Sequence, residues 1–274
     1  MDTVSFFKMS GSGNDFIVID NRQPRVPEDG LLDFVHQVCR RRISVGADGL
    51  ILIETSTRAD FKWRFFNSDG SSADLCGNGA RCAARFALLN HIAESRMSFE
   101  TEAGMIHAEV NHDRVKISLP EPKDLRMDIA LEVAGKSLGV SSLNTGVPHA
   151  VVVCEAIDEL DAVGLGQLIR RHPVFAPAGT NVNFIRLLPD DRIAIRTYER
   201  GVEDETLACG TGSVASALVT ATRLNRSSPI RVLTRSGEEL TVYFARAQAK
   251  FTDVFLEGDA RVIVTGTICP EAWR

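Results

Sequence analysis

Short apolar runs, some alternating with polar residues and some continuous, predict β-strands along most of the chain. The predicted strands are 6–9, 16–20, 50–54, 61–67, a hairpin over 97–119, strands from 130 onward, 181–188, 192–199 and a series over 229–268. Helical periodicity predicts amphipathic helices over 28–42 and near 164–171. We expect the run Arg40, Arg41, Arg42 to be the solvated end of the first helix.

Two further helical stretches are apolar on nearly every side. They follow Cys76 in LCGNGARCAARFALL (75–89) and Cys209 in ACGTGSVASALVTA (208–221). A helix without a polar face has to be enclosed on all sides. Because the surrounding segments are predicted strands, we expect an α+β fold in which a curved, mostly antiparallel sheet wraps around one central helix in each half.

Matching offsets indicate an internal duplication. A Thr-x-x-Gly turn begins 25 residues after each of these cysteines, and one extra residue is needed to align the strands that precede them. The matched residues are Arg64, Phe66 and Asn67 with Arg196, Tyr198 and Glu199. With Pro120 and Pro122 as a linker, we expect two pseudo-symmetric domains, 1–119 joined by a C-terminal tail of about 265–274, and 120–264.

The Cys-Gly-x-Gly motif places Cys76 and Cys209 at predicted helix N-termini, where unpaired N–H groups and the helix dipole stabilise anions. A thiol so placed can have its pKa lowered from about 8.5 to roughly 3.5–7.5. A pseudo-twofold arrangement of the halves would bring two such thiols face to face across a cleft. We therefore expect acid–base chemistry on both faces of one carbon of a ligand whose carboxylate lies between the helix ends.

Composition narrows the partners to a small molecule. The 274 residues are 44% hydrophobic and 24% charged with a net charge of −5, which does not favour nucleic acid or acidic membranes. No apolar run suits a membrane span or a signal peptide, so we expect a cytoplasmic protein with reduced cysteines. The chain lacks Cys-x-x-Cys, a Walker loop and a marked Schiff-base lysine, so we expect no metal and no cofactor. Cys39, Cys82 and Cys154 are predicted core residues.

Four blocks resemble the signature motifs of the diaminopimelate epimerase family, in the family's order and across nearly the whole chain. They are KMSGSGNDFIVID, FFNSDGSSADLCGNGARC, GTNVNF and RTYERGVEDETLACGTG. The resemblance implies an isomerase that interconverts LL- and meso-2,6-diaminopimelate without a cofactor, in lysine and peptidoglycan precursor biosynthesis. It implies Cys76 and Cys209 as thiolate base and thiol acid, in roles that exchange with the direction of reaction.

The resemblance also implies substrate contacts. Gly77, Asn78, Gly210 and Thr211 match the donors to the carboxylate at the reacting centre, and Asn14, Asn67, Asn181, Glu199 and Arg200 match positions that hold the rest of the substrate. The Arg200 guanidinium could make two hydrogen bonds to a distal carboxylate, and the Glu199 carboxylate could accept a hydrogen bond from an ammonium group. His149 matches a histidine that tunes a cysteine pKa, and Glu199 is a second candidate for that role. The three asparagines 14, 67 and 181 could instead be turn residues, Glu199 and Arg200 could be a surface ion pair, and His149 could be a turn residue.

Three features depart from the family pattern. Gly49 stands where many members carry glutamine, Val147 replaces a substrate-binding asparagine, and the loop between Glu199 and Cys209 is one residue longer. The alternatives left open are a racemase of the same architecture acting on another amino acid, a thiol redox protein, and an amino-acid binding module. The sequence also leaves a homodimer open.

Overall fold

The computed structural model describes residues 3–26, 28–72, 75–248 and 250–273. By its internal contacts the chain divides into two compact units, Met1–Ile117 with Gly258–Arg274, and Ser118–Glu257. Compactness does not test whether a unit folds independently, so the domain boundaries 1–119 and 120–264 stay a prediction.

In the described residues, the first unit contains two α-helices and an eight-stranded sheet. Its elements are β1 (Val4–Gly11), β2 (Asn14–Asp20), α1 (Leu31–Cys39), β3 (Gly49–Glu54), β4 (Phe61–Asn67), α2 (Gly77–Leu89), β5 (Arg96–Thr101), β6 (Gly104–Asn111), β7 (Arg114–Ser118) and, at the end of the chain, β17 (Arg261–Ile268). Hydrogen bonding orders the strands β17, β1, β2, β3, β4, β5, β6, β7.

The second unit repeats this plan with one small addition. Its elements are β8 (Lys123–Val133), β9 (Lys136–Asn144), β10 (Pro148–Val153), α3 (Ala162–Arg170), β11 (Asn181–Leu187), β12 (Ile193–Glu199), β13 (Asp204–Thr206), α4 (Gly210–Leu224), β14 (Ile230–Leu233), β15 (Glu239–Ala247) and β16 (Lys250–Asp259). The order is β8, β9, β10, β11, β12, β14, β15, β16. The short β13 pairs with the end of β12, and its counterpart in the first unit is a single bridge between Phe66 and Ser72.

Strand directions match between the units pair by pair. From β17 to β7 and from β8 to β16, both sheets run antiparallel, antiparallel, parallel, antiparallel, parallel, antiparallel, antiparallel. Chance similarity of two alanine-rich helices does not produce this agreement. The duplication, the α+β class and the mostly antiparallel sheets predicted from the sequence are confirmed.

Each unit encloses its cysteine-bearing helix. Helix α2 packs against β1, β2, β3 and β6, and α4 packs against strands β9 to β12, β14 and β15. Every residue of α2 from Asn78 to Ala84 is buried, as is every residue of α4 from Gly212 to Ala221. The apolar faces therefore lie inside a curved sheet, as the lack of a polar face requires.

A second helix covers the opposite face of each sheet. Ile17, Ile19, Leu50 and Leu52 pack toward α1, and a matching cluster packs around α3. Coverage on both faces explains why β2 and β3 are continuous apolar runs, whereas a half-exposed strand would alternate. The C-terminal 3₁₀ turn Pro270–Trp273 also reaches α1, where the Trp273 ring lies 5.2 Å from that of Phe34.

Two predictions made from the sequence are corrected. Helix α1 is shorter than 28–42 because Gly30, with φ +79°, is its N-cap and the chain becomes extended at Arg40. The arginine run is therefore a turn beyond the helix, and Arg41 binds Asp15 and Asp48 instead of capping the helix end. Cys39 and Cys82 are buried as predicted, but Cys154 is only half-buried because it follows the last residue of β10.

Candidate active site

Cys76 is the N-cap of α2. Its backbone is extended, with φ −128° and ψ 113°, and its sulfur accepts a hydrogen bond from the Gly79 N–H at 3.5 Å. Gly77 and Asn78 form the start of the first turn, where backbone N–H groups have no acceptor within the helix. The side chain of Cys76 is half-buried. A partly exposed sulfur at a helix N-terminus is the environment that favours a thiolate.

Cys209 occupies the same position on α4. Its φ of −120° and ψ of 113° nearly reproduce those of Cys76, and it is 8% exposed. Gly210 and Thr211 begin the helix as Gly77 and Asn78 do in the first unit. Gly212 has to be glycine, because a Cβ there would lie 2.3 Å from Asn183 Oδ1 and 3.3 Å from the Cys209 sulfur.

A chain of hydrogen bonds leads from the strands of the second unit to Cys209. The Asn183 amide nitrogen lies 3.1 Å from His149 Nδ1 and donates to the Ala150 carbonyl at 3.0 Å, while its oxygen accepts from Thr197 at 3.0 Å. An amide nitrogen only donates, so Nδ1 is the acceptor and the imidazole proton is on Nε2. Nε2 then donates to Thr211 Oγ1 at 3.0 Å, and the threonine hydroxyl lies 3.6 Å from the Cys209 sulfur, to which it donates its proton when that sulfur is a thiolate.

His149 is uncharged around neutral pH. It is 1% exposed at the start of β10, and burial, with a smaller contribution from the charge of Arg200, lowers the pKa of His149 to about 3. A buried neutral imidazole donates a hydrogen bond but has little basicity. An influence of His149 on Cys209 would therefore pass through its hydrogen bond to Thr211 rather than through charge.

In the first unit a second chain of polar side chains leads away from the start of α2. Asn78 Nδ2 donates to Asn14 Oδ1 at 2.8 Å, and Asn14 Nδ2 donates to Asp48 Oδ2 at 2.9 Å. Asp48 and Asp15 are both bound by the Arg41 guanidinium. Two predicted substrate contacts, Asn14 and Asn78, are therefore in direct contact with each other.

The side chains of Asn67 and Asn181 both make local hydrogen bonds. Asn67, at the end of β4, donates to Ser71 Oγ at 3.0 Å. Asn181 begins β11 and accepts from the Arg200 N–H at 2.8 Å while donating to the Pro148 carbonyl at 3.2 Å. The Asn181 bonds to backbone groups fit the turn interpretation and hold the Arg200 backbone in place, whereas the Asn67 bond goes to a side chain.

Glu199 is the last residue of β12, Arg200 follows it, and the two side chains differ in their surroundings. Burial raises the pKa of Glu199, and the Thr206 hydroxyl partly opposes this effect. The Arg200 guanidinium donates through one nitrogen to the Ala178 carbonyl at 3.0 Å. Within the described part of the chain, no ion pair joins Glu199 to Arg200, so the surface-ion-pair interpretation is not supported.

The departure at position 49 has a steric cause. A Cβ at Gly49 would lie 2.6 Å from the Phe65 ring and 2.6 Å from the Phe66 carbonyl. Phe65 is 6% exposed and fills this space. A glutamine would require Phe65 to move.

Sequence reasoning missed the residues that orient the predicted ones. They are Asp48, Arg81, Asn183 and Thr197. Only spacing could have indicated Asn183, since it stands two residues after Asn181 on the same strand face.

Among residues 3–26, 28–72, 75–248 and 250–273, no group of three or more His, Cys, Asp or Glu side chains could hold a metal ion. No helix in those ranges has the length and apolar character to cross a membrane.

Comparison with known proteins gives a consistent match. The family model described as diaminopimelate epimerase matches residues 6–123 and 141–263. The chain is 46% identical to the diaminopimelate epimerase of Aquifex aeolicus (strain VF5), covering 98% of this chain and 99% of that protein. It is 44% identical to the protein of the same name from Chlorobaculum tepidum, covering 95% and 99%.

Solved structures share the fold at lower identity. A Bacillus anthracis phenazine biosynthesis protein of the PhzF family has a TM-score of 0.76 at 17% identity, covering 98% of this chain and all of that one. A probable proline racemase from Agrobacterium radiobacter has a TM-score of 0.69 at 16% identity, covering 98% and 95%.

Proposed function

This chain belongs to the diaminopimelate epimerase family, and we propose that it interconverts LL- and meso-2,6-diaminopimelate in lysine and peptidoglycan precursor biosynthesis. One observation carries the proposal. Each unit presents a cysteine as the N-cap of an enclosed helix, with nearly identical backbone angles. A thiol redox protein or a binding module has no need for two such positions.

The proposed chemistry inverts one α-carbon with two cysteines, Cys76 and Cys209. One sulfur, as thiolate, takes the α-proton, and the electron pair of the broken C–H bond moves into the adjacent carboxylate. The other sulfur, as thiol, delivers its proton to the opposite face. The two cysteines then have exchanged protonation states, so the enzyme is ready for the reverse reaction.

The α-C–H group is a very weak acid, so the negative charge that develops when its proton is removed has to be stabilised. We assign this stabilisation to backbone N–H donors. The N–H groups at Gly77, Asn78, Gly210 and Thr211 stand in first helical turns, where the dipole favours negative charge. Removing one such donor from a preorganised site costs about 2.7–4 kcal/mol in transition-state stabilisation. We assign these groups to the reacting carboxylate.

The remaining contacts would select the distal end of the substrate. We assign Arg200 to the distal carboxylate, because most of its guanidinium N–H groups have no acceptor among the described residues. Glu199 would accept from an ammonium group, whose charge would lower its raised pKa. Asn14, Asn67 and Asn181 complete this assignment.

The distal assignment predicts a preference for two carboxylates. Replacing Arg200 by Gln should raise KM for diaminopimelate at least tenfold, since a charge-assisted bidentate contact is lost, and lysine should be a poor substrate of the wild type. Initial rates of α-proton exchange for both amino acids measure this. Comparable efficiency on lysine would favour a racemase of broader range and would leave Arg200 without this role.

The proposal includes a cytoplasmic location, where thiols stay reduced, and activity without metal or pyridoxal phosphate. Turnover should survive exhaustive dialysis against a chelator. A homodimer remains an expectation that size-exclusion chromatography with light scattering would test.

The main experiment follows LL-diaminopimelate in deuterated water by proton NMR. Purified enzyme should replace one α-proton by deuterium while meso product forms. Absence of exchange by a folded, reduced enzyme would contradict the proposed function.

A further inference from the structure

Arg81 is a charged side chain that the proposed mechanism does not use. It lies on α2, five residues after Cys76, and is 0% exposed. Its hydrogen bonds go to Ser12 Oγ at 2.9 Å, Asn78 Oδ1 at 2.8 Å, the Asp259 carbonyl at 3.2 Å and the Gly77 carbonyl at 3.4 Å. All four acceptors are neutral oxygen atoms.

A buried cation held only by neutral oxygens is costly to keep. Burial lowers the pKa of Arg81, and negative charge on Cys82, Asp259 and Cys76 opposes this while Arg114 adds to it. Burial itself raises the pKa of the Cys82 thiol far above its usual value, so Cys82 stays neutral. The Asp259 carboxylate is bound to Ser12 and to Arg261. The Asp259 carboxylate and the Cys76 sulfur are therefore the two groups whose negative charge would balance Arg81, Asp259 contributing more, and of these two Cys76 is the one that stands in the candidate site.

The hydrogen bonds that lead from Arg81 through Asn78 and Asn14 to Asp48 are compatible with only one orientation of each amide. A guanidinium only donates, so the Asn78 atom facing Arg81 is the amide oxygen. The Asn78 nitrogen then faces the Asn14 oxygen, and the Asn14 nitrogen faces Asp48, whose ionised carboxylate only accepts. Flipping either amide would place donor against donor or acceptor against acceptor.

The same guanidinium fastens the β1–β2 turn to the helix. Ser12 accepts from Arg81 and also binds Asp259, through both its N–H and its hydroxyl. Gly11 approaches so closely that a Cβ there would lie 2.8 Å from the Asn78 carbonyl. Arg81 thus connects the turn that carries Asn14 with the helix start that carries Cys76.

We propose that Arg81 is a positioning residue, whose guanidinium locks the amides of Asn78 and Asn14 in one orientation and supplies a fixed positive charge beside Cys76. This inference rests on the proposed function in taking Cys76 as a reacting thiol. It predicts that the acidity of the two thiols depends on different groups. These are the Arg81 guanidinium for Cys76 and the Thr211 hydroxyl for Cys209.

The test compares iodoacetamide alkylation of Cys76 and Cys209 as a function of pH in the substrate-free enzyme, with peptide mass spectrometry reporting each cysteine separately. Arg81→Gln should raise the Cys76 midpoint by about one pH unit, the effect of losing a nearby opposite charge, and leave the Cys209 midpoint unchanged. Arg85→Gln is the matched control. It removes a cation one turn further along α2, bound to the Ala260 carbonyl, and should shift neither midpoint.

Orientation is tested separately with Asp48→Asn. Asp48 is exposed enough for the variant to fold. An amide there no longer dictates the Asn14 orientation, so kcat/KM should fall about tenfold, the loss expected for a hydrogen bond to a charged group, while the Cys76 midpoint stays.

If Arg81→Gln does not fold, Arg81→Lys replaces it. That variant keeps the charge and the midpoint, but one ammonium cannot hold Asn78, Ser12 and two carbonyls, so kcat/KM should fall at least tenfold.

Two results would overturn the inference. One is a folded Arg81→Gln enzyme whose Cys76 and Cys209 midpoints both equal the wild-type values or shift together. The other is wild-type kcat/KM in both Arg81→Lys and Asp48→Asn. A wild-type enzyme that did not turn over diaminopimelate would contradict the proposed function. Because alkylation requires no substrate, the comparison of the Cys76 and Cys209 midpoints would still decide the inference about Arg81.

Discussion

At the scale of single residues, the surroundings of Cys209 are set by which atoms can donate. Asn183 forces the His149 proton onto Nε2, and Nε2 in turn occupies one lone pair of the Thr211 hydroxyl. The hydroxyl keeps its proton to donate to the sulfur when Cys209 is a thiolate. Because His149 stays neutral, we expect Cys209 to be tuned by this hydrogen bond and not by an imidazolium charge.

This arrangement predicts opposite outcomes for two changes at Thr211. Thr211→Val removes the hydroxyl and should raise the pH at which Cys209 alkylates by about one unit, a tenfold loss of thiolate at a fixed lower pH. Thr211→Ser keeps the hydroxyl and should remain within a few tenths of a unit. Cys76 in the same samples is the internal control. Equal midpoints for the Val and Ser variants would show that the hydroxyl does not act on the sulfur.

The depressed pKa of His149 predicts acid sensitivity of folding. The unfolded chain protonates this histidine near its usual pKa of 6.5, whereas the folded protein resists protonation until about pH 3. Its contribution to stability is complete above pH 6.5 and is lost as the pH falls toward 3. The slope is about 1.4 kcal/mol per pH unit for one proton taken up on unfolding.

Denaturant unfolding of wild type and His149→Gln between pH 7.5 and 4.5 measures this effect. The free energy of unfolding should decline more steeply with falling pH in the wild type than in the variant. Arg200→Gln removes the second cause of the depression and should lessen the difference slightly. Parallel curves for wild type and His149→Gln would mean that the folded state accepts the proton.

At the scale of elements, the sequence predicted strands and enclosed helices well because burial on one or both faces dictates the residue pattern. Helix α2 and helix α4 could be located from apolar character and from Cys-Gly-x-Gly alone. The end of α1 could not, because Arg40–Arg42 continue a helical pattern, whereas in the structure Arg41 pairs with the carboxylates of Asp15 and Asp48. The outcome of that competition depends on contacts between distant segments.

The position of the cysteines as N-caps separates stability from catalysis. Serine is a preferred N-cap and cysteine is not, so Cys76→Ser should leave the free energy of unfolding unchanged or raise it by up to about 1 kcal/mol. Inversion should be abolished, because a hydroxyl is far less acidic than a thiol. Thermal unfolding and NMR turnover of the same preparation measure both. A stable Cys76→Ser enzyme with near wild-type turnover would remove Cys76 from the reaction.

At the scale of the whole molecule, the duplication was predictable and the division of labour between the halves was not. Offsets from the two cysteines revealed the repeat, and identical strand directions confirm it. Position 5 of each central helix differs, however, with Arg81 in the first unit and Val214 in the second. In the second unit the hydrogen bonds behind Thr211 come instead from His149 and Asn183, which lie on strands 26 or more positions upstream of Cys209, and periodicity gives no sign of these contacts.

Two cysteines from different halves predict complementary defects. Cys76→Ala and Cys209→Ala should both lose inversion, since one face lacks either the base or the acid. Each variant keeps one thiol and the carboxylate donors, and such partial sites commonly retain catalysis. One variant should exchange the α-proton of the LL isomer with solvent but not that of the reacting centre in the meso isomer, and the other should show the reverse preference.

The measurement is deuterium uptake and inversion from each isomer for both variants. Cys269→Ala, which removes an exposed thiol, is the control and should behave as the wild type. Since each sulfur lies at a helix start, its removal should leave both variants folded. If one variant inverted at close to the wild-type rate, a single base serving both faces would have to replace the two-cysteine reaction. If both exchanged the same isomer, the cysteines would act on one face, and the proton for the opposite face would have to come from another acid such as Glu199.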